Sequence, residues 1–337
     1  MPLHAYWRPA PSLPFPLMGM QGGVYAGSLL TAGGYNSASI THSVLAYSAT
    51  QGWERHGAAP STRGVGSDDS GSAVLRGELY LVGGIWAQGG AVRNTSEMVA
   101  YDMAAQAWSY KRSMPTARRG LAVAADEALG RLYAVGGINC KADCYGEDVE
   151  YLSVVESYDA ASDTWVSLPS MRTPRRDLAV AFVGGLLYVV GGCNGQGGGS
   201  STNCVALATV EVYDTHTKIW TMAPTLNIPR HGLGVGICPM TNGKAFIVAF
   251  GGSAEPGIMN NPTPCGESES LRVSHAEGAA ARWNHFANLS VPRYGLLKGY
   301  GLNLNGFLYS VGGSTVEPGK LSPSSSVVEK LDCNNLV

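Results

Sequence analysis

The chain has 337 residues, 45% of them hydrophobic and only 14% charged, with a net charge of −2. That balance supplies a large apolar core and excludes the broad basic field that nucleic-acid binding uses. The 45 glycines carry no Gly-X-Y period, which excludes collagen; they suit turn-dense β structure, where glycine takes positive φ without steric cost.

Met1-Pro2-Leu3-His4 has no basic region followed by an apolar core, so no secretory leader is expected there. The cytoplasm is the favoured location, with an extracellular one left open. Tyr6-Trp7-Arg8-Pro9 reads as an outer strand with nothing before it. A recurring unit then begins near residue 17. In each copy an apolar run closes on a glycine doublet: Gly33-Gly34, Gly83-Gly84, Gly136-Gly137, Gly191-Gly192, Gly251-Gly252 and Gly312-Gly313, at intervals of 50, 53, 55, 60 and 61 residues. The runs before the doublets, such as Glu78-Leu-Tyr-Leu-Val82 and Leu186-Leu-Tyr-Val-Val190, are β-branched and aromatic, as buried strands are. A polar loop follows each doublet. Tyr-Asp steps come next, at Tyr101-Asp102, Tyr158-Asp159 and Tyr213-Asp214, each with a tryptophan seven residues after its tyrosine, and Tyr47 with Trp53 is a six-residue version. A Pro/Arg segment such as Met171-Arg-Thr-Pro-Arg-Arg176 leads into the next copy. Each unit therefore reads as four strands, a to d, with b ending at the doublet, c at Tyr-Asp and d carrying Trp.

The longest apolar stretch, Leu178 to Gly192, is about 15 residues, short of the ~20 of a membrane helix. Gly184-Gly185 also breaks it into two strands joined by a turn, so no membrane insertion is expected.

One four-stranded unit cannot cover both of its faces, and radial packing of such units buries them. The expected fold is all-β: a six-bladed propeller of antiparallel four-stranded blades, about 17–53, 63–108, 118–165, 175–220, 230–283 and 293–332, forming one monomeric domain over 1–337. Blade five has no Tyr-Asp before Trp283, and blade six ends at Val327-Val-Glu-Lys-Leu-Asp332 with no Trp after it. Residues 4–10 are therefore expected to supply the missing outer strand of blade six, which leaves no open edge.

The doublet with its downstream Tyr and Trp resembles the kelch repeat, and the resemblance spans nearly the whole chain. It implies a binding module whose ligands meet the face where the d–a and b–c loops emerge. The repeats look much like those of BTB–kelch adaptors of ubiquitin ligases, and actin-binding kelch proteins are a second option. The d–a loops carry Arg63, Arg118-Arg119, Arg175-Arg176, Arg230-His231 and Arg293-Tyr294, with Leu17-Met18 at that place in blade one. Arg118, Arg175, Arg230 and Arg293 recur, as do Glu156, Glu211 and Glu329 in strand c. These are expected to pair as structure. The varying neighbours Arg119, Arg176, His231 and Tyr294 are expected, with Arg63, to read the ligand. The resemblance adds Tyr35, Asn36, Asn139 and Asn194, just past their doublets. Trp86 and the loops at about 253–270 and 314–326 are further binding elements of the same kind. Guanidinium forks suit carboxylates, so the expected partner is a protein or peptide with acidic residues.

No phosphate loop, H-E-x-x-H zinc motif or G-x-S-x-G elbow occurs. No metal or cofactor is expected, and no catalytic residue is assigned. An enzymatic alternative is a sugar-processing propeller like the sialic-acid mutarotases, with Arg119 or Arg176 on a carboxylate and Asp177 or His231 as acid/base. The seven cysteines cannot all pair, and no CxxC occurs. Cys140/Cys144 and Cys193/Cys204 could each close a b–c loop, but free thiols are expected, with Cys238, Cys265 and Cys333 left over.

Overall fold

The computed structural model describes residues 5–336 apart from 37–38, 61–68, 89–90, 141–143, 145–148, 196–203, 241–242, 255–262, 275–277, 281, 300–301 and 316–323. The chain folds into six antiparallel sheets set in a ring, a six-bladed β-propeller. Blade three is representative: Ala122–Asp126, Arg131–Val135, Val155–Asp159 and Thr164–Leu168 pair in that order. The innermost strands of blades one to five are Gln21–Tyr25, Gly71–Leu75, Ala122–Asp126, Ala179–Val183 and Gly234–Pro239. Each packs on the next around the channel.

The core lies between blades rather than inside any one of them. Tyr80, Val82 and Met98 of blade two share a cluster with Leu121, Val123 and Tyr158 of blade three, all buried. This is why no single four-stranded unit could be stable alone.

The Tyr–Trp spacing has a simple geometric cause. Tyr101 and Trp108 are directly opposite one another on strands c and d, as are Tyr158 and Trp165, and Tyr213 and Trp220. Tyr47 and Trp53 are opposed in the same way, over a c–d turn one residue shorter. The ring centroids lie 5.0 to 5.3 Å apart, a favourable tilted contact. Several indoles also reach back one blade: Trp165 Nε1 donates to the Arg112 carbonyl (2.8 Å), Trp220 to Pro169 (2.7 Å) and Trp283 to Pro224 (2.9 Å). The aspartate of Tyr-Asp builds the turn. Asp102, Asp159 and Asp214 each accept two backbone N–H bonds from the residues two and three positions on.

Blade six closes the ring with the N-terminal strand. Trp7–Ala10 pairs antiparallel with Val328–Asp332, with Trp7 opposite Leu331. The indole is buried against Phe250 of blade five, ring centroids 4.9 Å apart, and donates to Ser268 Oγ at 2.8 Å. The inner side of this blade is less regular than the repeat suggests. Its innermost strand is only Asn303–Leu304, while Lys298–Gly299 instead pairs in parallel with Gln21–Gly22 of blade one. In blade five the stretch read as part of a 253–270 loop already belongs to strand c from Glu267 onward.

The cysteines correct the expectation of free thiols. Disulfides join Cys140–Cys144, Cys193–Cys204 and Cys238–Cys333, and Cys265 is the free, buried one. The third bond links residues 95 apart in sequence whose Cα atoms the packing of blades five and six brings to 5.2 Å. Sequence spacing carries no sign of that proximity.

Candidate functional site

Among the described residues, the d–a loops contribute two neighbouring residues with different partners. The first points into the propeller. Arg118, Arg175, Arg230 and Arg293 are fully buried and pair with Glu156, Glu211, Glu269 and Glu329. Each guanidinium also donates to main-chain carbonyls; Arg175 reaches those of Gly191 (2.8 Å) and Thr209 (3.0 Å). The glutamates take further donors, Glu211 from the N–H groups of Arg172 (2.7 Å) and Thr173 (3.0 Å). Burial lowers the pKa of Arg118, Arg175 and Arg293, and the facing glutamate opposes that shift. Such added donors and acceptors around both charges are what a buried ion pair needs to be tolerated, although Arg118 Nε itself has no partner. Glu269 was missed in sequence because blade five has no Tyr-Asp to mark strand c.

The glycine doublets exist to let these loops approach. A Cβ on Gly191 would lie 2.6 Å from the Arg230 carbonyl oxygen, and one on Gly192 would lie 2.8 Å from that of Arg176. Both glycines also have positive φ, 59° and 91°, so only glycine meets both demands.

In the five described d–a loops the second residue takes a common bridge position. Met18, Arg119, Arg176, His231 and Tyr294 form short backbone bridges to Tyr35, Ile138, Cys193, Ser253 and Ser314, the first residues past the doublets. The residue after each joins a run of backbone hydrogen bonds that passes from blade to blade. Gly120 N–H donates to the Asp69 carbonyl (2.9 Å), Asp177 to Gly120 (2.9 Å), Gly232 to Asp177 (2.8 Å), Gly295 to Gly232 (3.0 Å) and Gly19 to Gly295 (2.8 Å). Four members are glycines at φ 58–63°, whereas Asp177 holds a similar conformation at φ 50°. A non-glycine residue in that region pays a conformational cost that glycine does not.

Asp177 and Asp69 offset the charge at these bridge positions. Arg119 Nη1 lies 3.1 Å from Asp69 Oδ2, and its Nη2 donates to the Cys144 carbonyl at 2.9 Å. Arg176 Nε lies 3.4 Å from Asp177 Oδ2. Tyr151 feels both guanidiniums and Asp177, but burial dominates and raises its phenol pKa.

The site residues expected from sequence divide accordingly. Arg119, Arg176 and His231 are buried groups, 6%, 1% and 7% exposed, rather than a solvated rim. Tyr294 and Tyr35 are half-buried at their bridge positions. Asn36 is exposed and accepts the Ser39 N–H at 2.9 Å, a loop-shaping bond. Asn139 Oδ1 accepts from Asn94 Nδ2 at 2.9 Å, tying the b–c loops of blades two and three. Asn194 is half-buried, and its Oδ1 has no hydrogen-bond partner. Trp86 is half-buried in a hairpin, Ile85–Gln88 with Ala91–Asn94. Arg63 lies outside the described residues. It stands six positions ahead of Asp69, whereas Arg118 and Arg175 stand two ahead of Gly120 and Asp177. Much of the 253–270 and 314–326 loops also lies outside the described residues. Sequence reasoning missed Asp69 and Tyr151, which belong to no repeated motif.

A toroid of four-stranded blades, with a fixed Arg–Glu lattice beside a varied bridge position, defines the class as a repeat propeller. Residues 123–172 and 174–227 match the family model described as the Kelch motif. Those two stretches carry kelch motifs, and the chain is similar to kelch-repeat proteins. It is 31% identical over 147 residues to an F-box/kelch-repeat protein of Arabidopsis thaliana, covering 44% of this chain and 35% of that protein. It is 31% identical over 102 residues to Kelch-like ECH-associated protein 1B of Danio rerio, covering 30% and 16%. Beta-scruin of Limulus polyphemus is 29% identical over 251 residues, covering 72% and 24%. The matches thus span about a third or less of the length of these relatives. Among solved structures, that of YjhT shares the fold with a TM-score of 0.69 at 16% identity, over 94% of this chain and 95% of that one.

Proposed function

We propose that this chain is a protein- or peptide-binding propeller whose rim, built on Arg119, Arg176, His231 and Tyr294, recognises an acidic ligand. The observation that carries the reading is the split between adjacent d–a positions. In four blades the first is an arginine locked to a glutamate. The second is Met, Arg, Arg, His or Tyr on the same bridge geometry. A fixed support under a varied rim is how a rigid scaffold presents a recognition surface. Asp69 and Asp177 keep the two rim guanidiniums oriented. One relative is named for its association with ECH, in keeping with recognition of another protein.

The test is selection of peptides from a displayed random library on the immobilised propeller. Enrichment in Asp and Glu is expected, with affinity falling as salt rises. Arg119→Ala with Arg176→Ala should weaken the selected peptides by about 2–5 kcal/mol per lost contact, the range for desolvated pairs. An exposed contact would cost under about 1 kcal/mol, and the burial of both side chains argues for the larger value. Lysine at both positions keeps the charge and loses the fork, so affinity should fall there too with the fold intact. Arg175→Ala is the structural control: it leaves Glu211 buried and unpaired and should lower stability by about 3–5 kcal/mol. Selected peptides without acidic residues, or ones that bind both rim variants as well as the parent, would refute the reading.

A further inference from the structure

The Cys193–Cys204 disulfide lies against His231, and the three residues make a second kind of site. The two sulfurs and an imidazole nitrogen all lie within 4.8 Å of one another, and all three residues are buried. Cys193 is the first residue past the doublet of blade four, Cys204 lies at the far end of the same b–c loop, and His231 comes from the d–a loop that opens blade five. Two cysteines and a histidine from separate loops form a soft nitrogen–sulfur donor set.

A second observation points to the same place. Ser253 is the bridge partner of His231 and is fully buried, yet its Oγ has no hydrogen-bond partner. Bridge partners project to one side of their ladder, so this hydroxyl stands on the side of the imidazole. A buried hydroxyl with no partner is uncommon in a folded protein and asks for an explanation. A water bound to a metal at His231 would supply one. The charge also balances. Two thiolates neutralise a divalent ion, so the loaded site is neutral beside Arg176, whose backbone bridges Cys193.

We propose that Cys193, Cys204 and His231 hold one zinc ion when the Cys193–Cys204 bond is reduced, with water in the fourth position. A dithiol reductant gives two electrons and two protons to the disulfide and becomes a disulfide itself. The two new thiols release two protons as they bind the metal. The sulfurs must part to about 3.8 Å, the edge of a tetrahedron with bonds of about 2.3 Å. The rim of blades four and five therefore has two alternative clamps, a disulfide within one loop or a metal that joins two loops. This inference does not depend on the identity of any protein partner.

The experiment uses the full chain with zinc and with cobalt(II). Protein reduced by excess dithiothreitol is freed of it under argon, loaded with metal, desalted and assayed for metal content. One zinc per chain is expected in the reduced protein and none in the oxidised protein. Cobalt should give thiolate charge-transfer absorption together with the intense visible bands of a tetrahedral site. Cys193→Ser and Cys204→Ser should abolish retention, and His231→Ala or His231→Gln should weaken it at least about tenfold. Cys140→Ser, at the neighbouring disulfide, should leave the stoichiometry unchanged, and melting curves establish that each variant is folded. Absence of zinc from the reduced protein, or retention that survives substitution of His231, would overturn the proposal.

Discussion

At the level of single residues, the rim is governed by Asp177. It holds φ at 50° where the equivalent positions Gly19, Gly120, Gly232 and Gly295 use glycine. Relief of that conformation favours glycine by about 1 kcal/mol. Against it stands the ion pair with Arg176, a side chain only 2% exposed. Stranding a charge that deep costs more than the strain relieves, about 3–5 kcal/mol in comparable buried pairs. Asp177→Gly is therefore expected to destabilise the protein by about 2–4 kcal/mol in urea unfolding, after subtraction of the strain term. In an Arg176→Met background the same change should instead stabilise by about 1 kcal/mol, because only the strain remains. The sign reversal is the measurement; a penalty that is equal in both backgrounds would mean that the pair does not hold the strain. Arg118 and Arg119, or Arg175 and Arg176, look interchangeable as letters. Their division into lattice and rim was legible because the repeat shows one position constant and the next varied. The aspartates that partner the rim arginines were less legible, since Asp69 lies outside any motif and Asp177 occurs in one blade only.

At the level of the strand pair, the c–d hairpin follows from four residues. Tyr and Trp oppose each other across the strands, Asp receives two N–H groups, and the residue four positions after Asp turns left-handed, as Gln106, Asp163 and Lys218 do at φ 51–61°. Blade one substitutes Ser48, whose Oγ accepts the Gln51 N–H at 3.1 Å, and Gly52 at φ 77°. The six-residue Tyr47–Trp53 spacing is thus the same hairpin with a shorter loop. Strand positions could be read from sequence because alternation and aromatic content report burial directly. Blade five and the inner strand of blade six resisted, since Glu267–Ser274 has no Tyr-Asp mark and Asn303–Leu304 is too short to show a period. The turn also carries a pH signature. Backbone N–H donors hold the Asp214 carboxyl below its usual value of 3.8. A folded-state pKa below the unfolded one gives stability that is present above the unfolded value and lost as pH falls through the folded one. Asp214→Ala should therefore melt below the parent at neutral pH, and the gap should close as pH falls through the folded-state pKa, which lies below 3.8. A gap that persists undiminished in acid would show that the carboxylate is not the source of the stabilisation.

At the level of the whole molecule, closure decides stability. A ring of blades with buried interfaces has one place where the chain must join its own beginning, and here that join lies inside blade six. Trp7–Ala10 completes a sheet whose other strands come from the last 35 residues of the chain, 303–337, and its indole reaches Phe250 and Ser268 in blade five. That requirement was readable in sequence from a blade with no outer tryptophan and a tryptophan with no blade. The Cys238–Cys333 bond, which bridges the same two blades, was not readable, because nothing in the spacing of two cysteines 95 residues apart says that they meet. The two closures act differently. The disulfide stabilises mainly by restricting the unfolded chain, by about 4–5 kcal/mol for a loop of that length, while the strand acts through burial and pairing in the folded state. Replacing Trp7 with alanine empties a buried indole site and should cost about 3–5 kcal/mol. Removal of residues 1–10 should cost at least as much, since it also bares the edge of Val328–Asp332, whose unpaired backbone groups then invite association with other chains. The expected outcome is a sharply lowered melting temperature and concentration-dependent aggregation for the truncated protein, followed by scanning calorimetry and light scattering. A synthetic peptide of residues 1–10 added back should restore part of the loss by refilling the strand. Reduction of the truncated protein should lower its stability further, by a comparable step, because the remaining tether across blades five and six is then released. A truncated protein that melts like the parent in both redox states would mean that the ring does not depend on its N-terminal strand.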